Sequence, residues 1–373
     1  MNQVVISGTG LYTPPYSISN QELITCFNQY VRNYNASNAA AIGAGELVAL
    51  EESSVEFIEK ASGIKARYVV EKTGILDPQR MVPHIPERGD DQPSIMCEMA
   101  VNAAHQALER AGRTAQDVDA VIVACSNLQR AYPAIAVEVQ GALGIEGYGF
   151  DMNVACSSAT FGIQAAMSAI QSGQARAVLV INPEITSGHL NWRDRDSHFI
   201  FGDACTAILL ERADRATSAF QFEIVAMKLK TQFSNNIRNN FGFLNRGDEA
   251  GIGKPDKLFR QQGRKVFKEV CPMAAAMITN TVKQADLEIS QIRRFWLHQA
   301  NLNMNLLIIR NILGRDATAN ESPTILDTYA NTSSAGSIIA FHQHQRDLAV
   351  GDHGVICSFG AGYSIGCVVV KKI

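Results

Sequence analysis

No stretch of the 373 residues approaches the roughly 18 consecutive apolar residues that a membrane-crossing helix requires. The opening segment, MNQVVISGTGLYTPP, has no basic region followed by a long apolar core, so no secretory leader is read there and a cytoplasmic protein is expected. Runs of Lys or Arg are also missing. With 33 basic against 36 acidic residues the net charge is -3, which gives no global attraction for nucleic acid or an anionic membrane. An acidic partner would have to dock on a local basic patch. There are eight cysteines but no CxxC pair, and several lie in strand-like runs such as VIVAC and GVICSF, so most are expected to be buried free thiols. A metal site fails on spacing: the closest pair, His342 and His344, sits at i, i+2 on an expected helix, where side chains do not face one another.

What is present is an alternation of β-rich runs with helical stretches, in a chain that is 46% hydrophobic and 18% charged. QVVISG, VDAVIVA, GFDMNVA, AVLVINPE and TAILLER are followed in the second part by FEIVAMKLK, RRFWLHQ, GVICSFG and CVVVKK. The pattern argues for a layered α/β fold. The two parts echo each other in order. VIVACSN, SSA at 157–159, AVLVINPE and GDACTAILLER are answered by FWLHQAN, SSA at 333–335, HGVICSFG and GYSIGCVVVKK, with about 30 residues from the Asn of the first element to SSA in each. Two similar halves, 1–215 and 216–373, are expected, with functional groups where equivalent loops meet. Residues 28–54 and the Pro-rich 73–93 fall outside the echo and are read as surface excursions or as a lid or wall over a substrate channel.

Three polar residues stand at the ends of β-rich runs. Cys156 follows GFDMNVA and opens a segment in which Ala159, Ile163, Met167 and Ile170 recur at helical spacing before Gly173. A thiol at a helix N-terminus is placed where free amides and the helix dipole favour thiolate, the nucleophilic form. A small core residue is the plain alternative. His298 ends RRFWLHQ and precedes a helix whose stripe is read as Leu302, Leu306, Ile309 and Leu313, closed by Gly314. Its alternative is a satisfied core histidine. Asn331 occupies the matching place in the second half, ahead of a helix containing Ile338 and Ile339, and on its own reads as an N-cap. FGAGYSIG is a glycine turn between two β-runs, able to bring backbone amides close to a ligand or simply to close a tight hairpin.

Taken together, ISGTGLYTPP, SGIKARY, AYPA, the Cys156 segment, FGD, GRKVFK, HQANL, NTSSAGS and FGAG resemble the β-ketoacyl-acyl-carrier-protein synthase III family over most of the chain. The resemblance implies a thiolase-like five-layered αβαβα fold, built from two similar halves and assembled as a homodimer. It implies that Cys156 takes an acyl group, acetyl to medium chain, from acyl-CoA, with the backbone amides of Cys156 and Ala361 cradling the oxyanion. His298 and Asn331 would then stabilise the enolate formed when malonyl-acyl-carrier protein loses CO2, giving a 3-oxoacyl product in fatty acid biosynthesis. This chemistry calls for no cofactor. Simple acyl transfer does not need both His298 and Asn331.

The resemblance also marks residues around the centre. Phe57, Arg195 and Arg264 fall at CoA-binding positions, Tyr132 where a residue reaches across the dimer to wall the primer pocket, and Lys268 and Arg310 at carrier-docking positions, to which Arg293 and Arg294 could add. The chain departs from the family at several of these. Phe57 replaces a Trp, Ala61 replaces an Arg, Arg264 replaces an Asn, and Asn303 stands where a basic residue is usual, so the grip on CoA must differ in detail, with Arg264 or Lys60 able to meet phosphates. A thiolase-fold synthase of a specialised metabolite and a non-catalytic partner subunit are the rival readings. The second is expected to lose the thiol or the histidine, and this chain keeps both.

Overall fold

The computed structural model describes residues 3–373. Among the described residues thirteen strands form: β1 (Val4–Tyr12), β2 (Tyr16–Ser19), β3 (Ala66–Val69), β4 (Ala120–Ala124), β5 (Tyr148–Met152), β6 (Ala177–Glu184), β7 (Ala204–Arg212), β8 (Phe222–Ser234), β9 (Ile237–Arg238), β10 (Arg260–Gln261), β11 (Ile292–Leu297), β12 (His353–Gly360) and β13 (Gly362–Lys372). Ten α-helices accompany them: α1 (Asn20–Ser37), α2 (Ala39–Gly43), α3 (Val55–Ser62), α4 (Ile95–Ala111), α5 (Ile135–Leu143), α6 (Ser158–Gln171), α7 (Gly263–Gln284), α8 (Leu302–Leu313), α9 (Leu326–Tyr329) and α10 (Ala335–Gln343).

The main sheet runs β11-β12-β13-β8-β1-β7-β6-β4-β5. Its centre is a short seam in which β1 meets β8 only at Val5↔Glu223 and Ile6↔Phe222. Outward from that seam the two sides repeat one pattern. β13 and β7 are antiparallel to their inner neighbours, β12 and β6 are antiparallel again, and β11 and β4 then run parallel to β12 and β6. The echo in the sequence is therefore an echo in topology.

Strand alternation distributes the side chains among three cores. In β4, Ala120, Ile122 and Ala124 enter a central cluster while Val121 and Val123 face an outer one under α4 and α5. In β12, Ile356 enters the same central cluster while Val355, Cys357 and Phe359 face the other outer one under α7 and α8. Both faces are buried, which is why these strands read as unbroken apolar runs. The central cluster is completed by α6 and α10, each touching strands from both sides of the seam. The layers are thus α4/α5, sheet, α6/α10, sheet, α7/α8: the thiolase-like αβαβα arrangement. All eight cysteines are free, and Cys156 alone is not fully buried.

The two extra segments pack into a fourth cluster with the inner walls of the site. Val31 and the partly buried Leu50 of the first segment join Leu23 and Phe27 from the earlier part of α1, and Ile75 and Met81 of the Pro-rich stretch, against Phe199, Ile200 and Phe201. Residues 46–54 return along α1 as a strap, held by paired hydrogen bonds of Asn35 with Leu50 and of Asn28 with Ser53. These segments buttress the wall of the catalytic cavity without lining it themselves.

Three local expectations change. The buried face of α8 is Met304, Asn305, Ile308 and Ile309, whereas Leu306 is exposed, because packing on α7 rather than the leucine stripe sets the helix rotation. Asn331 is not an N-cap: α10 starts after Ser334, and Asn331 instead bridges to Phe201. Arg294 is buried in an ion pair with Asp347 and bonded to the carbonyls of Asn320 and His344, so it is a structural cation and is not available for docking.

Candidate active site

Cys156 lies in a single 3-10 turn, Ala155–Ser157, that leads β5 into α6. Ala155 adopts φ +47°, an unfavourable region for a residue with a Cβ. The turn is pinned to the β12–β13 hairpin by Ser157 and Ser364: Ser157 Oγ donates to the Ser364 carbonyl at 3.0 Å, and Ser364 Oγ donates to the Ala361 carbonyl at 2.8 Å. The FGAG turn is therefore a hairpin and also a fixed neighbour of the thiol. A Cβ on Gly360 would stand 2.6 Å from the Cys156 Cβ, so only glycine permits this approach.

Burial pushes the Cys156 thiol up to about 11, and the nearby Glu184 carboxylate adds to the rise. Three donors oppose it: the Ser333 hydroxyl, 3.4 Å from the sulfur, and the backbone N–H groups of Ala361 and of Cys156 itself. The helix N-terminus thus does not make a resting thiolate here, because desolvation outweighs it. Two backbone amides converging on the sulfur, however, suit an oxyanion formed on an acyl carbon attached there.

His298 follows β11 and is buried, its ring edge-on to Phe359 at 5.3 Å between centroids. Burial lowers it to about 4, opposed only by a hydrogen bond with the Ser333 backbone, so the ring is neutral at neutral pH. Its Nδ1 has no partner. The other members of HQAN divide different tasks. Gln299 accepts from Thr324 Oγ1 and from Ile325 N, while Asn301 caps α8 by accepting from Asn303 N at 2.9 Å and donates to the Ala61 carbonyl at 2.6 Å.

Asn331 is held through its backbone, with its N–H on the Ile200 carbonyl at 3.0 Å and its carbonyl receiving Gly202 N at 3.1 Å. Its Oδ1 accepts Ser333 N at 2.9 Å, which fixes the amide orientation and leaves the NH2 as the free donor. Cys156, His298 and Asn331 all line one cavity of ≈ 440 Å³. Its further walls are mainly apolar, with Phe199, Phe201, Phe259, Phe267 and Met304 prominent.

Two groups at this centre escaped the sequence reading. Ser333, at φ +51°, touches the thiol through its hydroxyl, the imidazole through its backbone and Asn331 through its N–H. Glu184, at the end of β6, is fully buried and accepts four hydrogen bonds, from the N–H and hydroxyl of Ser126 and the N–H and hydroxyl of Ser334. It ties the loop after β4 to the start of α10. Burial raises it to about 7 despite those donors.

Outside the cavity the expected residues separate. The Arg195 guanidinium lies over the Phe57 ring, 4.4 Å from its centroid, and donates to the Glu52 carbonyl on the strap. Arg264 stands at the cavity mouth. Lys268 is exposed on α7, and Arg310 is exposed on α8 but paired with Asp316. Tyr132 is 85% exposed and contributes nothing to this chain's own cavity.

The sequence profile of 3-oxoacyl-[acyl-carrier-protein (ACP)] synthase III matches residues 150–231, and its C-terminal counterpart matches residues 282–372. A curated β-ketodecanoyl-[acyl-carrier-protein] synthase of Pseudomonas aeruginosa is 70% identical over 346 residues, 93% of this chain and 99% of its own. The chain belongs to the 3-oxoacyl-[acyl-carrier-protein] synthase III family. It is a condensing acyltransferase of fatty acid biosynthesis. The fold agrees: the synthase III of Aquifex aeolicus superposes with a TM-score of 0.77 at 23% identity, covering 99% of each chain. That of Pseudomonas aeruginosa PAO1 does so with 0.77 at 21% identity, covering 99% of this chain and 98% of its own.

Two outcomes follow for the synthase. With the thiol near 11, alkylation of Cys156 by iodoacetamide should rise about tenfold per pH unit between roughly pH 7 and 10, as the thiolate fraction grows. A plateau below pH 8, read by mass spectrometry of the Cys156 peptide, would contradict that environment. Glu184→Gln should keep the paired loops, since its carbonyl can accept both amides, whereas Glu184→Ala should cost about 1–3 kcal/mol for each amide left unpaired. Because the carboxyl titrates near 7 in the fold against 4.5 ordinarily, the unfolded chain binds fewer protons in that window, and this group's contribution falls as pH rises. Urea unfolding of Glu184→Gln should show a flatter pH dependence there than the parent.

Proposed function

We propose that the synthase transfers an eight-carbon acyl group from CoA to Cys156 and condenses it with malonyl-acyl-carrier protein. The observation that carries this reading is the 70% identity to a β-ketodecanoyl-[acyl-carrier-protein] synthase across nearly the whole chain. A ten-carbon β-keto product formed from malonyl, which loses one carbon as CO2, requires an eight-carbon primer.

The steps balance with the residues present. Cys156 sulfur attacks the thioester carbonyl, its proton leaves with the departing CoA thiol, and the amides of Cys156 and Ala361 hold the oxyanion. Malonyl-carrier protein then loses CO2, and the electron pair of the broken C–C bond becomes the enolate. His298 and the Asn331 NH2 donate to the enolate oxygen. A neutral imidazole, which keeps one N–H, and an amide whose oxygen is already occupied are suited to donate without a proton being lost. The enolate carbon attacks the acyl-Cys156 carbonyl, sulfur leaves, and 3-oxodecanoyl-carrier protein is released. CoA enters past Phe57, Arg195 and Arg264, and the carrier docks near Lys268 and Arg310.

A homodimer belongs to the same proposal, as does a boundary between the halves near residue 215. β5 is an unpaired sheet edge that exposes Tyr148 and Phe150, with Val137 of α5 and Tyr132 also exposed. An open edge bearing large apolar side chains favours pairing with a second copy. Such pairing would carry Tyr132 toward the partner's primer pocket.

Incubation with acyl-CoAs of graded length, read by intact mass and peptide mapping, should place the acyl group on Cys156 with octanoyl-CoA preferred. Label on Cys125 or Cys205, or a preference for acetyl-CoA, would overturn the reading. Tyr132→Ala should shift that preference toward longer chains, each newly buried methylene being worth about 0.8 kcal/mol. His298→Ala and Asn331→Ala should leave acylation of Cys156 comparatively intact while reducing decarboxylation of malonyl-carrier protein by about 100-fold or more. Loss of acyl loading with decarboxylation retained would reverse those roles.

A further inference from the structure

One buried acid at the centre takes no part in the steps above. Glu184 is 1% exposed and does not line the catalytic cavity, so it cannot touch a substrate there. It acts on the cavity through its neighbours. Its Oε1 accepts Ser334 N at 3.1 Å, and the preceding residue is Ser333, whose hydroxyl stands 3.4 Å from the Cys156 sulfur. The same oxygen accepts Ser126 N at 3.0 Å from the loop after β4. The carboxyl therefore fixes the start of α10 against that loop and, through Ser333, the surroundings of the thiol.

No cation accompanies this charge, for Glu184 makes no salt bridge among the described residues. The titratable groups that face it are thiols: Cys156 in the turn before α6, Cys125 after β4 and Cys205 on β7, and its charge pushes each of them up. Asp151, on β5, acts on Cys125 in the same sense, while His298 is neutral. The shell around the carboxyl tolerates either charge state. Four donors suit the ionised form, and Ser334 Oγ, 3.3 Å from the Ala124 carbonyl, can donate there while accepting from a protonated carboxyl. Burial raises the group to about 7 against those donors, so both forms are populated near neutrality.

We propose that Glu184 is a positioning residue that is also a charge brake on the Cys156 centre: ionised, it opposes formation of the thiolate, and protonated, it anchors Ser126 and Ser334 without opposing it. The physical reason is that like charges repel more strongly in a dry interior than in water. The inference rests on Cys156 being the thiol that takes the acyl group. Its test uses alkylation, which requires no acyl substrate.

The quantity to measure is the ratio of Cys156 alkylation rates by iodoacetamide in Glu184→Gln and in the parent, from roughly pH 5.5 to 9, read on the Cys156 peptide by mass spectrometry. Glutamine keeps acceptors for the two amides but cannot ionise. The ratio should be near one at the acid end, rise with a midpoint near pH 7, and level off at about threefold above roughly pH 8. A purely structural role would displace the ratio equally at every pH. A ratio that is flat across the range, or that falls as pH rises, overturns the proposal. The parent gives a second reading that needs no variant: between roughly pH 6 and 8 its alkylation rate should fall about threefold short of the hundredfold rise of an isolated thiol. A full hundredfold rise overturns the proposal even where the Gln variant fails to fold. Acylation by octanoyl-CoA should follow the same ratio. Failure of the parent to load octanoyl on Cys156 would defeat the primer reading instead, and the alkylation ratio would still decide the brake.

Discussion

Two helices, α6 and α10, are buried between two halves of a sheet, and the rest of the molecule answers to that constraint. A helix sunk in a core begins with amides that water cannot reach, and each must find a partner inside the protein. At α6, Ser158 Oγ turns back to receive Val154 N and donates to the Ala155 carbonyl. At α10, Ser333 N goes to Asn331 and Ser334 N to Glu184. The groups that solve this problem are the same groups that position the thiol, the imidazole and the amide. Chemistry is located here because the fold already had to gather polar atoms at this depth.

That origin accounts for the electrostatic state of the centre. Burial keeps the thiol protonated and the imidazole neutral, so no ion pair stands ready between Cys156 and His298. Under the proposed mechanism negative charge appears only in transit, on the oxyanion and then on the enolate, and each time it faces donors fixed before it forms. Such preorganisation is worth more in a dry site than in water, since the donors need no reorientation. Decarboxylation supplies its own electron pair, so a strong base would be superfluous.

Much of this could be read from the sequence because the layered core imposes simple rules. Buried strands become continuous apolar runs, and two repeats of one topology leave an ordered echo, so a layered α/β fold of two similar halves followed from pattern, while the count of five layers came with the family resemblance. Cys156, His298 and Asn331, which line one cavity, were singled out by their motifs. What escaped depends on partners remote in the chain. Glu184 closes the run AVLVINPE and gives no local hint that Ser126 and Ser334 will bond to it. Ser333 appeared only as a letter in NTSSAGS, although its hydroxyl lies against the sulfur from a left-handed backbone. The face of α8 was misjudged because packing on α7 sets its rotation, while Leu302 meets the close approach of Gly63 at the end of α3, where a Cβ would lie 2.7 Å from the leucine. Tertiary contact overrode the stripe.

The distribution of cations carries this argument outside the core. A chain of net charge -3 must concentrate positive groups wherever it meets an anionic substrate or carrier. Several arginines are already committed: Arg294 to Asp347, Arg310 to Asp316, and Arg195 to the Phe57 ring and the strap. Arg67 is buried, bonded to Asn20 and to the carbonyls of Ile18 and Phe199. The unpaired charge near the cavity mouth therefore falls to the β9–β10 ribbon and the first turns of α7, which include Arg264 and Lys268. With Ala61 and Asn303 carrying no charge, an anionic thioester bound for Cys156 under the proposed mechanism would meet Arg264, which makes no salt bridge among the described residues, where it lines the cavity.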